Sequence, residues 1–515
     1  EKLAVTPDMV SLGNGSNDIL ELIAKAYVCS STDEVIFSDA ALPLLLSLLV
    51  SLLAYLILFK ITKNSNKSAL FVVISLFFFF YYGHIFHGHF SGKHLGEITI
   101  GRHRFFFPLW CSAYFLCCIL LIRVRKSLDL LIKFLNYLFL ILVISVLIPI
   151  FVSLNPLDKI YGEINNSDLD LDFISSKNSN LDVKNKPDIY YIVLDGYASL
   201  DTLKDFYEYD NAGFYSSLEK RGFYIADQST ANHSTTYLSL SSSLNMMYMN
   251  WLGENGSDRQ FKLREIGDSI ADNKVAKLLK NNGYSYITFD SGYSSSSRKS
   301  SISDLSVSCA AMSEFDRTLI KTTILDPFFA YGGVRAMILC QFESLKNVVY
   351  PGSKFIFSHI VAPHPPFVFN SKGGKVGMNS GLNPWKDQKA YSEQLQFINT
   401  KVLEVIDDIK SQYGNEEYIM IIQSDHGPAS LGSEEMLNPS NELIKERMGI
   451  LNAYYVPNKI KKQLTKKITP VNTFRLVLSE VLGLDIPMLK NESFFTPIGQ
   501  ESLTFDDVTD ILHNE

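Results

Sequence analysis

Asp425 and His426 stand side by side in Gln-Ser-Asp-His-Gly (423–427), directly after the apolar run Tyr418–Gln423. An oxygen ligand and an imidazole ligand at the end of a strand suit a borderline cation such as Zn²⁺. A second carboxylate, Asp195, follows the run Ile189–Leu194 in Val-Leu-Asp-Gly-Tyr, although Asp-Gly after a strand also makes an ordinary turn. A hydroxyl-rich stretch, ANHSTTYLSLSSSLN (231–245), reads as the opening of a helix. A helix N-terminus offers free N–H groups and a positive dipole end, so it attracts a phosphate. A threonine hydroxyl in its first turn becomes a nucleophile when a metal activates it. Thr236 is the first choice for that role and Thr235 the alternative; plain N-capping is the competing use of both. The fourth feature is FSHIVAPHPPFVF (357–369), with His359 and His364 in a strand run and the Pro-rich loop that ends it. An imidazole there holds a phosphoryl oxygen or protonates a leaving group, or it is simply a structural loop residue.

These positions are far apart along the chain, so a fold must gather them. From about 187 onward, strand-like and helix-like runs alternate. Strands are expected at Ile189–Leu194, 222–226, Tyr284–Phe289, Phe355–Val361, Tyr418–Gln423 and Leu451–Val456. Helices are expected near 210–221, 236–247, 271–282, Tyr391–Tyr413 and 472–482. That alternation predicts an α/β fold, a mostly parallel sheet with helices on both faces. In such sheets ligands bind at the carboxyl ends of the strands, where Asp195, Asp425 and His426 fall.

The order of strand-Asp, hydroxyl stretch, His-Pro-Pro-Phe and Ser-Asp-His-Gly resembles the alkaline phosphatase superfamily. More narrowly, it resembles the membrane-bound sulfatase-like branch, which includes lipoteichoic acid synthases and phosphoethanolamine transferases. The resemblance covers about 40–515, with its motifs between 187 and 456. It implies an alkaline-phosphatase-like domain outside the cytoplasm, anchored by transmembrane helices. It also implies that Asp195, Asp425, His426 and Thr236 hold one divalent metal, Zn or Mn. Thr236 would be the nucleophile and His364 the substrate-side histidine. The transferases usually carry Glu where Asp195 stands. They also carry a further His soon after Asp-His-Gly; here GPASLGSEEMLNPSNELIKERMG has none, and Arg447 is the candidate replacement, with His359 a second candidate for substrate binding. Neither Cys-x-Pro-x-Arg nor Cys-x-Ala-x-Arg occurs, which removes the modified-cysteine nucleophile of true sulfatases. The resemblance therefore implies a phospho-group transferase. Its partners would be a membrane lipid donor and an envelope glycan or lipid acceptor, joined through a phospho-threonine. A phosphodiesterase or phosphatase using water, and an inactive binding protein on the same fold, are the rival readings.

Composition divides the chain of 515 residues. Residues 40–153 are dominated by Leu, Ile, Phe and Val, and contain four apolar segments at about 40–59, 68–85, 105–122 and 130–152. Each approaches the ~20 residues a helix needs to cross a bilayer. Lys60, Lys63 and Lys67 in one loop, and Arg123, Arg125 and Lys126 in another, place those loops in the cytoplasm. Lys93, Arg102 and Arg104 in the intervening loop pull the other way. His84, His87, His89, His94 and His103 surround that second loop, either as interfacial side chains or as a site for metal or lipid phosphate. Residues 154–186 read as a polar linker, and 187–515 as the enzymatic domain. The net charge of −7 argues against nucleic acid as a partner. Cys309 and Cys340 could pair if that domain is exported. Residues 1–39 are expected to carry a helix at Asp18–Val28 and a short strand at Glu34–Phe37. SLGNGSNDILELIAKAYV followed by DEVIFS closely resembles the early region of histidinol-phosphate aminotransferases. The rest of that family's cofactor site is missing, so this stretch is read as a fused remnant or an assembly artefact.

Overall fold

A computed structural model describes residues 34–91, 93–95, 98–125, 127–153, 186–253, 259–293, 296–309, 314–329, 332–376, 384–431, 436–497 and 503–513. The aminotransferase-like Gly-Asn-Gly-Ser turn, the helix expected at Asp18–Val28 and nearly all of the polar linker lie outside the described residues. The chain forms two compact units.

The first unit comprises the described residues of Glu1–Tyr161 together with those of Met312–Gly332. Its long helices are α1 (Glu34–Thr62), α2 (Ser65–Phe80), α3 (His103–Arg123) and α4 (Asp129–Ser153). Glu34–Phe37, expected as a strand, is instead the start of α1. The long apolar run that follows propagates a helix backwards at little cost once it is nucleated. Leu45–Thr62 and His103–Arg123 are long and apolar enough to cross a membrane. Ser65–Phe80 with Tyr82–Phe90 would make a third span, bent by 46°. The break falls at Tyr81, two residues before Gly83 and ahead of a π-helical turn at Phe86–Phe90. Tyr82, Phe86, Phe106 and Trp110 form a small aromatic core beside it.

The second unit comprises the described residues of Gly162–Ala311, Gly333–Asn379 and Asn383–Glu515. Its centre is a seven-stranded sheet. The strands are β1 (Asp188–Leu194), β2 (Tyr224–Ile225), β3 (Ser285–Phe289), β4 (Leu305–Val307), β5 (Lys354–Ile360), β6 (Tyr418–Ser424) and β7 (Asn452–Tyr455), in the order β2-β7-β6-β1-β5-β3-β4. All pairs from β6 to β4 are parallel, whereas β7 runs antiparallel to both β6 and β2. The α/β, mostly parallel architecture expected from the sequence is therefore present. Every residue of β1 and of β6 is buried. That explains their unbroken apolar runs, since central parallel strands are covered on both faces. Four helices matter for the site: α5 (Thr236–Asn245), α6 (Gln388–Tyr413), α7 (Asn441–Met448) and α8 (Pro470–Leu482). The helix expected over 210–221 is Ala212–Lys220, that expected over 271–282 is Lys274–Asn281, and a further short helix, Leu200–Tyr207, precedes the former. The backbone turns left-handed at Glu208, which ends that further helix.

Candidate metal centre

Register brings the distant residues together. Leu194, the last residue of β1, pairs with Ile360 of β5 and with Ser424 of β6, so the strands end level. The next residues along β1 and β6 are Asp195 and the Asp425–His426 pair. All three are buried, and one ligating atom from each lies within 4.8 Å of the others. His426 Nε2 is 3.3 Å from Asp425 Oδ2 and 3.7 Å from Asp195 Oδ1. Among the described residues no other group of three or more His, Cys, Asp or Glu brings its ligating atoms this close to one another.

The backbone aims these side chains. Asp425 Oδ1 accepts from the N–H groups of Gly196 (3.1 Å) and His426 (2.9 Å), which leaves Oδ2 for the cluster. His426 Nδ1 is 2.8 Å from the carbonyl of Gly427. A carbonyl only accepts, so Nδ1 carries the proton and Nε2 presents its lone pair. Gly196 has φ +71°, and a Cβ on it would stand 2.7 Å from the Trp385 ring. Both the left-handed backbone and the close approach require glycine there.

Thr236 opens α5, and the whole helix is buried. Its Oγ1 lies 2.9 Å from His426 Nε2, whereas Thr235 Oγ1 has no hydrogen-bond partner among the described residues. Ser239, one turn on, donates to the carbonyl of Asp425 at 2.6 Å and pins the start of α5 to the end of β6. His359 sits within β5 opposite Val193, with Nε2 3.3 Å from Asp195 Oδ2 and Nδ1 2.7 Å from Ser296 Oγ. His364 donates its backbone N–H to the carbonyl of Asp195 at 3.0 Å, and its ring meets Trp385 edge to face at 4.8 Å. Arg447, on α7, is buried and held by two carbonyls: Nε donates to Ser234 O (2.8 Å) and Nη1 to Gly427 O (3.0 Å). Its Nη2 then lies 3.0 Å from His426 Nε2.

The electrostatics of the cluster ask for a cation. Burial would raise the pKa of Asp195, but its neighbours His364, His359 and His426 outweigh it and hold the carboxyl well below the usual range. Burial, with the charge of Asp195 added, pushes Asp425 up to about 6. Burial, then the Arg447 guanidinium, holds His426 well below the ordinary imidazole range. Asp195 Oδ1 and Oδ2, Asp425 Oδ2 and His359 Nε2 are buried without a hydrogen-bond partner among the described residues. Buried charges are normally paired or coordinate metals. Two carboxylate oxygens and a neutral imidazole nitrogen form a mixed O/N donor set that fits Zn²⁺ or Mn²⁺.

Three contributors escaped the sequence reading: Ser296 behind His359, Ser239 behind Asp425 and Trp385 beside Gly196. Nothing marks a lone serine or tryptophan in a polar stretch; only its tertiary partner gives it a role.

No family model matches the chain, and no curated protein matches it. Solved structures do. The C-terminal periplasmic domain of EcEptC from Escherichia coli is similar at 14% identity, over 63% of this chain and 94% of that one, with a TM-score of 0.41. The soluble domain of lipooligosaccharide phosphoethanolamine transferase A from Neisseria meningitidis is similar at 11% identity, over 58% and 89%, with a TM-score of 0.38. Phosphonate monoester hydrolase of Agrobacterium radiobacter is similar at 11% identity, over 61% and 82%, with a TM-score of 0.41. These are likenesses of fold.

Proposed function

We propose that the protein is a membrane-anchored, metal-dependent phosphotransferase. It would move a phosphoethanolamine- or glycerophosphate-like group from a lipid donor to an envelope glycan or lipid through a phospho-threonine at Thr236. The observation that carries this reading is the meeting of Thr236 Oγ1 with His426 Nε2 at 2.9 Å, on the rim of a buried Asp195–Asp425–His426 cluster.

Asp195, Asp425 Oδ2 and His426 Nε2 would hold one Zn²⁺ or Mn²⁺. Such an ion, when bound, lowers the pKa of a neighbouring hydroxyl and polarises a phosphodiester oxygen. The residues of the chain do the rest. The N-terminus of α5 orients Thr236 and directs its free N–H groups at the phosphoryl oxygens. Thr236 Oγ1 gives up its proton to solvent and attacks phosphorus, an O–P bond forms, and the bond to the donor alcohol breaks. His364, flanking Asp195, protonates that alcohol. Arg447 is fixed by two carbonyls beside His426 before substrate arrives, so its positive charge is in place to stabilise a phosphoryl oxygen. A hydroxyl of the acceptor then displaces Thr236. With water as acceptor the same site is a hydrolase.

Incubation of the full chain in lipid nanodiscs with headgroup-labelled phosphatidylethanolamine, followed by peptide mass spectrometry, tests this. The headgroup mass should appear on Thr236, be absent from Thr236→Ala, and leave when a glycan acceptor is added. Turnover with no label on Thr236, or full activity of Thr236→Ala, refutes the nucleophile. Release of the label to water at the same rate with and without acceptor assigns the hydrolase.

A further inference from the structure

One stretch of the chain takes an unexpected course. After β4 it leaves the second unit, and the described residues of Met312–Gly332 pack with the apolar helices instead. Cys309 and Cys340 form a disulfide that closes this excursion at its base. Its contacts within the helical unit are specific. Ile324 N–H donates to Phe79 O at 2.8 Å, and Ile324 packs on the aromatic core around Tyr82. Asp326 is buried, with Oδ2 at 2.8 Å from His87 Nε2 and 3.5 Å from His103 Nε2. Gly83 admits the backbone of the excursion so closely that a Cβ there would stand 1.9 Å from Lys321 O.

The tip does the opposite. Phe328 and Phe329 are 63% and 48% exposed. The ring of Phe328 meets Phe107 at 5.6 Å between centroids. Phe107 lies on α3 four residues past His103, so at ~1.5 Å per residue the contact sits roughly 6 Å inside the end of that helix. Phe105 and Leu109, on the other side of the same helix, are also exposed. Arg102 and Arg104 stand exposed at the same end, where basic side chains face lipid headgroups.

We infer that the segment Glu314–Phe329 is a membrane-seated strap: its Phe328–Phe329 tip inserts among the lipid acyl chains beside the start of α3, and Gly83 with the His87–Asp326–His103 cluster docks its shaft. Depths of roughly 5–10 Å are typical of such interfacial anchors. The strap rests on reading α3 as a membrane span.

Single tryptophans report the depth. The full chain carrying Phe328→Trp is reconstituted into vesicles of brominated phosphatidylcholine, and its emission is compared with that of the unsubstituted chain. Leu116→Trp, in the middle of α3, serves as reference. Bromine near the headgroup end of the acyl chains should remove most of the added emission at 328, and aqueous iodide should remove little. Added emission at 328 that iodide quenches and bromine does not, with Leu116→Trp quenched by bromine, overturns the strap while leaving the span intact. If Leu116→Trp also escapes bromine, the membrane reading of α3 itself falls. Adding Gly83→Ala, which a helix by itself welcomes, should make Phe328→Trp accessible to iodide. Unchanged bromine quenching in that double variant overturns the docking at Gly83.

Discussion

Two buried carboxylates facing one imidazole are a costly arrangement unless a cation joins them, and that cost is itself measurable. A ligand that binds only the folded state stabilises it by about 2.7 kcal/mol at a hundred times its Kd. Zinc or manganese added to the chelator-treated protein should therefore raise its thermal midpoint, with no reference to turnover. Asp425→Asn removes a ligand and a carboxylate that burial and Asp195 disfavour, so it should raise the metal-free midpoint; Asp195→Asn removes a carboxylate that the surrounding histidines favour, so it should lower that midpoint; both should abolish the metal-induced rise. A rise that survives in either variant would place the metal elsewhere. The sequence makes these residues legible because each follows an apolar strand run, where a polar side chain has little other reason to stand. Arg447 was legible only as a positive charge. Its precision comes from Ser234 O and Gly427 O, which are 213 and 20 residues away along the chain. No local pattern encodes such a contact.

At the scale of elements, β1 and β6 were visible because burial on both faces demands unbroken apolar runs. β4 was invisible: three residues of a Ser-rich stretch at the sheet edge carry no periodicity. The short helix Leu200–Tyr207 is likewise too brief for its pattern to stand out. The loop opening α5 supplies a prediction of its own. His233 is buried and accepts a hydrogen bond from the N–H of Met249 at 3.1 Å. Burial lowers its pKa from 6.5 to about 3. Between those values the unfolded chain binds a proton there that the folded chain refuses, so stability is highest above the unfolded pKa and falls as pH drops. The slope is about 1.4 kcal/mol per pH unit for one group. His233→Gln keeps an acceptor for Met249 and cannot titrate. Its unfolding free energy should lose about 1.4 kcal/mol per unit less than the parent's between pH 6 and pH 4. Denaturant titrations at matched pH measure this, and parallel curves would rule out a buried neutral imidazole. In the turn after β1, Gly196→Ala should cost about 1–3 kcal/mol from its positive φ alone. It should also weaken metal binding, because the Gly196 N–H that orients Asp425 would shift.

At the scale of the whole chain, the sequence separates an apolar stretch from a longer polar one, yet says nothing of the excursion between β4 and the helix Gly332–Lys346. The stretch 312–332 has no composition that distinguishes it from its flanks; only its packing against apolar helices reveals where it belongs. The Cys309–Cys340 bond that closes it was open in the sequence and present in the structure, across a separation of 31 residues. Such bonds persist in oxidising compartments, so the bond supports the proposal that the sheet-bearing unit lies outside the cytoplasm. Closing a loop of that length restricts the unfolded chain by about 3–4 kcal/mol in the chain-entropy account. Cys309→Ser and Cys340→Ser should each lower stability by an amount of that order. The double variant should cost no more than either single one, because both remove the same bond. Additive losses would mean that the two thiols act separately. Digestion without reductant should release the two cysteine peptides as one linked species from protein taken from the envelope, and as two after reduction. Unlinked peptides from envelope protein would contradict both the bond and the compartment inferred from it.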